Sequence, residues 1–159
     1  MQSITVSIAI QECFFEELPF QERELLQRAE QLTSNAYAPY SHFWVGCAIL
    51  LENGTIIGGA NQENAAYPSG LCAERTAFFH YGTFYSTIKI KAVAIAARRA
   101  NQTIFLPISP CGACRQVMLE YENKQNHPIK LIMRTFHNKI HIVQSLSDLL
   151  PLKFDKNNL

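Results

Sequence analysis

Cys72-Ala73-Glu74-Arg75-Thr76-Ala77 and Pro110-Cys111-Gly112-Ala113-Cys114-Arg115-Gln116, whose Cys111 lies 39 positions after Cys72, organise the reading of this chain. The Cys-x-x-Cys spacing lets two sulfurs face one ion while the backbone enters a helix. Pro110 suits a helix start, where free amide N–H groups and the dipole lower thiol pKa and favour thiolates. Cys72, near the start of an earlier helix, supplies a third ligand if the two N-termini converge, which leaves one position open. Three soft thiolates select zinc over magnesium or calcium.

Glu74 turns such a metal site into a candidate active site, because a carboxylate there can take a proton from water and return it to a substrate. Its other reading is a first-turn glutamate stabilised by the helix dipole. Arg75 can donate to the thiolates and offset their charge, or form a surface ion pair. The cysteines themselves can instead be buried small hydrophobes, or part of a closed structural zinc site. That closed site needs a fourth ligand from Cys13, Cys47 or one of 5 histidines, none of which shows companion spacing. Cys47, inside an apolar run, reads as core, and so does Cys13.

Outward from these motifs, the pattern predicts alternating helices and strands. Residues up to Ile10 alternate polar and apolar as an edge strand or a loosely attached arm. Pro19 to about Asn35 places Leu25, Leu26, Ala29 and Leu32 at helical spacing. Phe43 to Leu51 is β-rich and ends at Glu52-Asn53-Gly54, which signals a type I′ hairpin returning through Thr55 to about Asn61. Gly70 to about Tyr81 reads as a helix ended by Gly82, Lys91 to Ala97 as a buried strand, and Ile104 to Ile108 as extended chain. A second ligand-bearing helix runs from about Cys111 to Glu122. Strands at Ile129–Arg134 and Ile140–Val143 flank a polar turn at His137-Asn138. A short helix over Ser145–Leu150 is stopped by Pro151, and a frayed tail follows from Asp155. The order gives an α/β layered sheet.

With 159 residues, the chain is read as a single domain over 1–159, comprising an N-terminal extension (1–18) and a core (19–154). Its composition, 48% hydrophobic and 17% charged, is that of a globular protein. A net charge of +1 offers no footprint for a polyanion, and Arg98-Arg99 is too short to track a nucleic-acid backbone. The start lacks a basic leader, and no apolar run approaches the roughly 18 to 20 residues of a membrane span. A cytoplasmic location, no membrane partner and free or metal-bound cysteines are the expectations.

Four segments together resemble the homotetrameric cytidine deaminases of nucleoside salvage: Tyr40-Ser41-His42-Phe43-x-Val45-Gly46, Asn61-x-Glu63-Asn64-Ala65-Ala66-Tyr67, Cys72-Ala73-Glu74-Arg75-Thr76-Ala77 and Pro110 to Gln116. The resemblance covers roughly residues 19 to 154. It implies a three-layer α-β-α fold around a five-stranded mixed sheet, with zinc on Cys72, Cys111 and Cys114 and Glu74 as proton shuttle. It further implies hydrolytic deamination of cytidine and deoxycytidine to their uridine forms with release of ammonia. Phe43 would stack on the base, Asn61 and Glu63 would hold the ribose 3′-hydroxyl, and Ala73 would contact substrate. A carboxylate at Glu63 repels phosphate, which favours a free nucleoside over a nucleotide or polynucleotide. Phe43 also reads as a plain core aromatic, and Asn61-Glu63 as a strand end entering a polar loop. Leu149-Leu150-Pro151-x-x-Phe154 resembles the family tail whose aromatic reaches a neighbouring subunit in the homotetramer, or packs on its own domain. Trp44 and Gln62 depart from the family pattern and bear on the pocket walls.

Other readings of the same residues are deamination of a modified or antibiotic cytosine compound, an RNA- or DNA-editing deaminase, and a zinc module without turnover. The neutral charge and Glu63 weigh against nucleic acid.

Overall fold

The computed structural model describes residues 1–159. Its strands are β1 (Gln11–Phe14), β2 (Phe43–Leu51), β3 (Ile56–Ala60), β4 (Ile90–Arg99), β5 (Phe105–Leu106), β6 (Lys130–Arg134) and β7 (Lys139–Val143). Its helices are α1 (Phe20–Leu32), α2 (Ala73–Phe84) and α3 (Gly112–Gln125). The strands form one sheet in the order β1-β7-β6-β4-β2-β3, with β5 pairing the end of β4. Only β4 and β6 run parallel, so the sheet is mixed. The five expected strands are present. Short β1 and β5 extend the sheet to 7 strands.

Strand alternation explains the three layers. Cys47, Ile49, Leu51, Val93, Ile95, Leu131, Met133 and Val143 face α2 and α3, where they meet Ala73, Ala77, Phe78, Tyr81 and Met118. Ala48, Leu50, Ala92, Ala94, Ile132 and Ile140 face α1 and its Leu25, Leu26, Ala29 and Leu32. Both faces are covered, which is why the central strands read as nearly continuous apolar runs. No helix is long and apolar enough to cross a membrane.

Several local expectations shift. The N-terminal strand lies at Gln11–Phe14, paired with β7, whereas residues 1–10 form no regular element. Lys139 and His141 on β7 both reach Glu12, a charged anchor that the alternating segment before it lacks. The β2–β3 turn is not type I′, because Gly54 has φ +86° while Asn53 stays out of the left-handed region that such a turn demands of both central residues. It is a three-residue loop, with the Gly54 amide donating to Leu51 O at 3.0 Å and the Leu51 amide to Thr55 O at 2.9 Å.

Gly82 does not end α2, which continues to Phe84. A Cβ there would lie 2.5 Å from Tyr121 Oη, so the glycine serves helix packing rather than termination. The tail is not frayed throughout: Asp155 caps a 3₁₀ turn at Lys156–Asn158 by accepting from the Asn157 amide at 2.9 Å.

Candidate active site

Cys72 and Cys111 each occupy the N-cap position of a helix, with extended dihedrals of −69°, 157° and −68°, 167° respectively. Cys114 lies in the first turn of α3 and is fully buried, Cys72 is half-buried, and Cys111 is exposed. The packing of α2 beside α3 on one sheet face brings the two N-termini together. Cys72 Sγ is 3.9 Å from Cys111 Sγ, and Cys111 Sγ is 3.4 Å from Cys114 Sγ. All three sulfurs fall within 4.8 Å of one another, and no other Cys, His, Asp or Glu ligand atom joins them.

This donor set fits a tetrahedral cation. Zinc–sulfur bonds of about 2.3 Å give tetrahedron edges of about 3.8 Å, close to the observed separations. With only three protein donors in the group, the closed four-ligand site of a purely structural module is not formed. Cys47, in the core, and Cys13, on β1 against the α1-side core, lie outside the group.

The electrostatics favour a thiolate at Cys72. Sharing of the Cys114 proton, and after it the Arg75 guanidinium, lower the Cys72 thiol to about 5 despite burial. The same partnership with Cys72, with burial added, pushes the Cys114 thiol up. Arg75 Nη2 donates to Gly70 O at 3.1 Å, while its buried Nε has no protein partner. An orphaned donor beside a half-buried thiolate is suited to a sulfur ligand.

Glu74, the second residue of α2, is only 4% exposed. Burial raises its carboxyl to about 7, opposed by its own backbone amide. Cys72 is outside the helical geometry and Glu74 inside it, so the irregular first turn allows both to address one place. Ala73, the fully buried first residue of α2, presents an amide that has no intrahelical acceptor.

The segment Asn61–Glu63 runs beside these helices. Gln62 exchanges backbone bonds with Leu71 at 2.8 and 2.9 Å, which sets Asn61 and Glu63 against the chain just before Cys72. Asn61 Oδ1 accepts from the Val45 amide at 2.8 Å and its Nδ2 donates to Phe43 O at 2.9 Å, so its amide fixes the start of β2. Glu63 Oε2 accepts from the Tyr40 and Ser41 amides at 2.9 and 3.3 Å, and Oε1 has no protein partner. Hydrogen bonding from Ser41, then Tyr40, holds the Glu63 carboxyl below its usual range. A cleft of about 340 Å³ opens here between Tyr40, Ser41, Glu63, Asn64, Tyr67 and Gly70.

Phe43 is half-buried at the start of β2, on the same strand face as Val45, which packs towards α2 and α3. Trp44 points to the opposite face, where Arg98 stacks 4.6 Å above its ring and bonds Thr33 and Ser34. It therefore does not wall the cleft. Gln62 donates to Asn35 O at 3.3 Å and also lies outside the residues lining the cleft. Phe154 is exposed, and its carbonyl accepts from Gln116 Nε2 at 2.9 Å.

Sequence reasoning missed Glu122, a buried carboxylate that accepts from the Ile129, Leu146 and Ser147 amides and the Ser145 hydroxyl. Its only sequence signal is a place on the apolar stripe of Met118 and Leu119.

Residues 20–127 match the family described as the cytidine and deoxycytidylate deaminase zinc-binding region. A cytidine deaminase of Halalkalibacterium halodurans is 48% identical over 96 residues, covering 60% of this chain and 68% of the relative. One from Mycobacterium tuberculosis is 33% identical over 134 residues, covering 82% and 87%. The crystal structure of a cytidine deaminase from Burkholderia pseudomallei superposes with a TM-score of 0.70 at 36% identity, covering 82% of this chain and 97% of that one.

Proposed function

The chain belongs to the cytidine and deoxycytidylate deaminase zinc-binding family, and on that premise we propose that it hydrolyses cytidine and deoxycytidine to uridine and deoxyuridine, releasing ammonia. The observation that carries this reading is the Glu74 carboxyl, buried beside three converging sulfurs yet outside the ligand set. Cys72, Cys111 and Cys114 would hold zinc, which when bound would supply Lewis-acid activation of water.

Glu74 takes a proton from the water that attacks C4 and delivers it to N3 of the ring. A second transfer, of the proton of the new C4 hydroxyl by way of Glu74 to the exocyclic nitrogen, breaks the C4–N bond as the C4 carbonyl forms, so that cytidine and water give uridine and ammonia. Arg75 offsets the charge of three thiolates on one divalent ion. Phe43 stacks on the base. Glu63 Oε1, free of protein partners, accepts from the ribose 3′-hydroxyl while Asn61 holds the wall of the subsite. Because the 2′-position is not the anchor, deoxycytidine is also a substrate.

The role is pyrimidine salvage in the cytoplasm, by a homotetramer in which exposed Phe154 reaches a neighbouring pocket. The reaction is tested by Glu74→Gln, a near-isosteric loss of the proton carrier. With zinc content equal to wild type, kcat falls by about 10²-fold or more while KM changes much less. Full turnover by the variant would remove Glu74 from the mechanism.

A further inference from the structure

Helix α3 grips the segment from Ser145 to Phe154 at three places along its length. Glu122 accepts from Ser145 Oγ at 2.7 Å, the Leu146 amide at 2.8 Å and the Ser147 amide at 3.0 Å. Gln116 Nε2 donates to Phe154 O at 2.9 Å. Arg115 differs from both because its fork also reaches the ligand loop: Nε donates to Pro110 O at 2.9 Å and Nη1 to Leu149 O at 3.3 Å.

Pro110 has no amide N–H, so its carbonyl is the only backbone group by which that residue can be tied. Towards the other end of the loop the Ile108 amide donates to Arg134 O at 3.3 Å. Behind the loop lies an incompletely filled groove of about 380 Å³, lined in part by Ile108, Ser109, Arg115 and Leu149. Pro110 itself is buried, and the Cys111 carbonyl accepts from the Arg115 amide at 3.0 Å, so Arg115 ties the loop twice, by its backbone at Cys111 and by its side chain at Pro110. Of the three sulfur donors, Cys114 is anchored in the core whereas Cys111 is exposed at the loop's end.

We propose that Arg115 is a positioning residue that braces the Cys111 loop against the C-terminal segment and so sets how long the three-sulfur site retains its metal. This rests on the zinc reading above. Without the fork the Pro110 carbonyl loses its tie and Cys111 is held only through its own carbonyl, while Cys72 and Cys114 stay in place, which loosens one corner of the site and eases release of the ion. Lysine at 115 keeps the charge but lacks the planar fork that spans two carbonyls.

The test measures zinc release from the loaded, full-length protein into excess chelator, read by a metal-sensitive dye, for wild type, Arg115→Ala and Arg115→Lys. Melting of the metal-free proteins is measured alongside. Arg115→Ala releases zinc roughly 10-fold faster or more, with Arg115→Lys between it and wild type. A wild-type release rate in Arg115→Ala overturns the brace, even if melting is lowered, because that outcome describes a purely structural arginine. If Arg115→Ala does not fold, a wild-type rate in Arg115→Lys overturns it equally. A wild-type protein that takes up no zinc sinks the zinc reading and the brace together, whereas normal uptake with unchanged release in the variants sinks the brace alone.

Discussion

Glu63 divides its oxygens between two tasks, and that division makes its role measurable. Oε2 is committed to the Tyr40 and Ser41 amides, while Oε1 is free. A hydrogen bond to a charged group is worth roughly 1.5–3 kcal/mol, or about 10- to 100-fold in binding. Glu63→Gln should therefore raise KM for cytidine by about 10-fold or more, with little change for 3′-deoxycytidine. Equal loss on both substrates in steady-state kinetics would show that the substitution disturbs the Tyr40–Ser41 turn instead. At this scale the sequence was most legible where residue type dictates chemistry. Three thiols and a carboxylate have few joint uses, and the structure gathers the thiols within 4.8 Å. Glu122 was illegible because a glutamate on a helix is ordinarily solvated, and only the folded chain shows the four donors that surround it. The side to which Trp44 turns was not legible either, since that depends on which face of β2 each residue takes, and in the fold it stacks under Arg98.

Among elements, close approach of backbones decides which glycines matter. A Cβ at Gly46 would run into Ala29 O and lie 2.8 Å from Thr33 N, both on the backbone of the α1 end, which cannot yield without lifting the helix. Gly46→Ala is expected to cost about 3 kcal/mol in urea unfolding of the metal-free protein. Gly82→Ala meets only Tyr121, whose hydroxyl at 2.5 Å is the far end of a side chain, and it gains helix propensity of about 1 kcal/mol. Its net effect should stay within about 1 kcal/mol of zero. If the order of these two costs were reversed, the packing of α1 on β2 would be wrong. Strand and helix positions were largely readable from apolar periodicity, as the exact span Phe43–Leu51 shows. Turn type at Gly54 and the continuation of α2 past Gly82 were not, because each depends on one dihedral or one neighbour outside the local pattern.

For the whole molecule, two helix N-termini meet over one sheet face, and the proposed zinc would convert their meeting into a fixed site. A ligand that binds only the folded state stabilises it by mass action, about 2.7 kcal/mol at a hundredfold excess over Kd. Saturating zinc should accordingly raise the melting temperature of the metal-free chain by about 5–10 °C, and magnesium should leave it unchanged. Calorimetry with each ion checks this, and an equal shift with both would argue against a thiolate site. The α/β layered sheet followed from the alternation of elements and its three layers from the family resemblance, whereas the reach of β1 across to β7 needed long-range pairing that no local pattern encodes. The central claim is that this chain deaminates cytidine through its three-sulfur centre. Its most direct test is conversion of cytidine, followed by ultraviolet absorbance and ammonia release, by protein stripped of metal and then reloaded with zinc. The account predicts that stripped protein is inactive and that activity returns in proportion to zinc bound, with one ammonia per uridine formed. Undiminished turnover in the stripped protein, or none in the fully loaded protein, would contradict it.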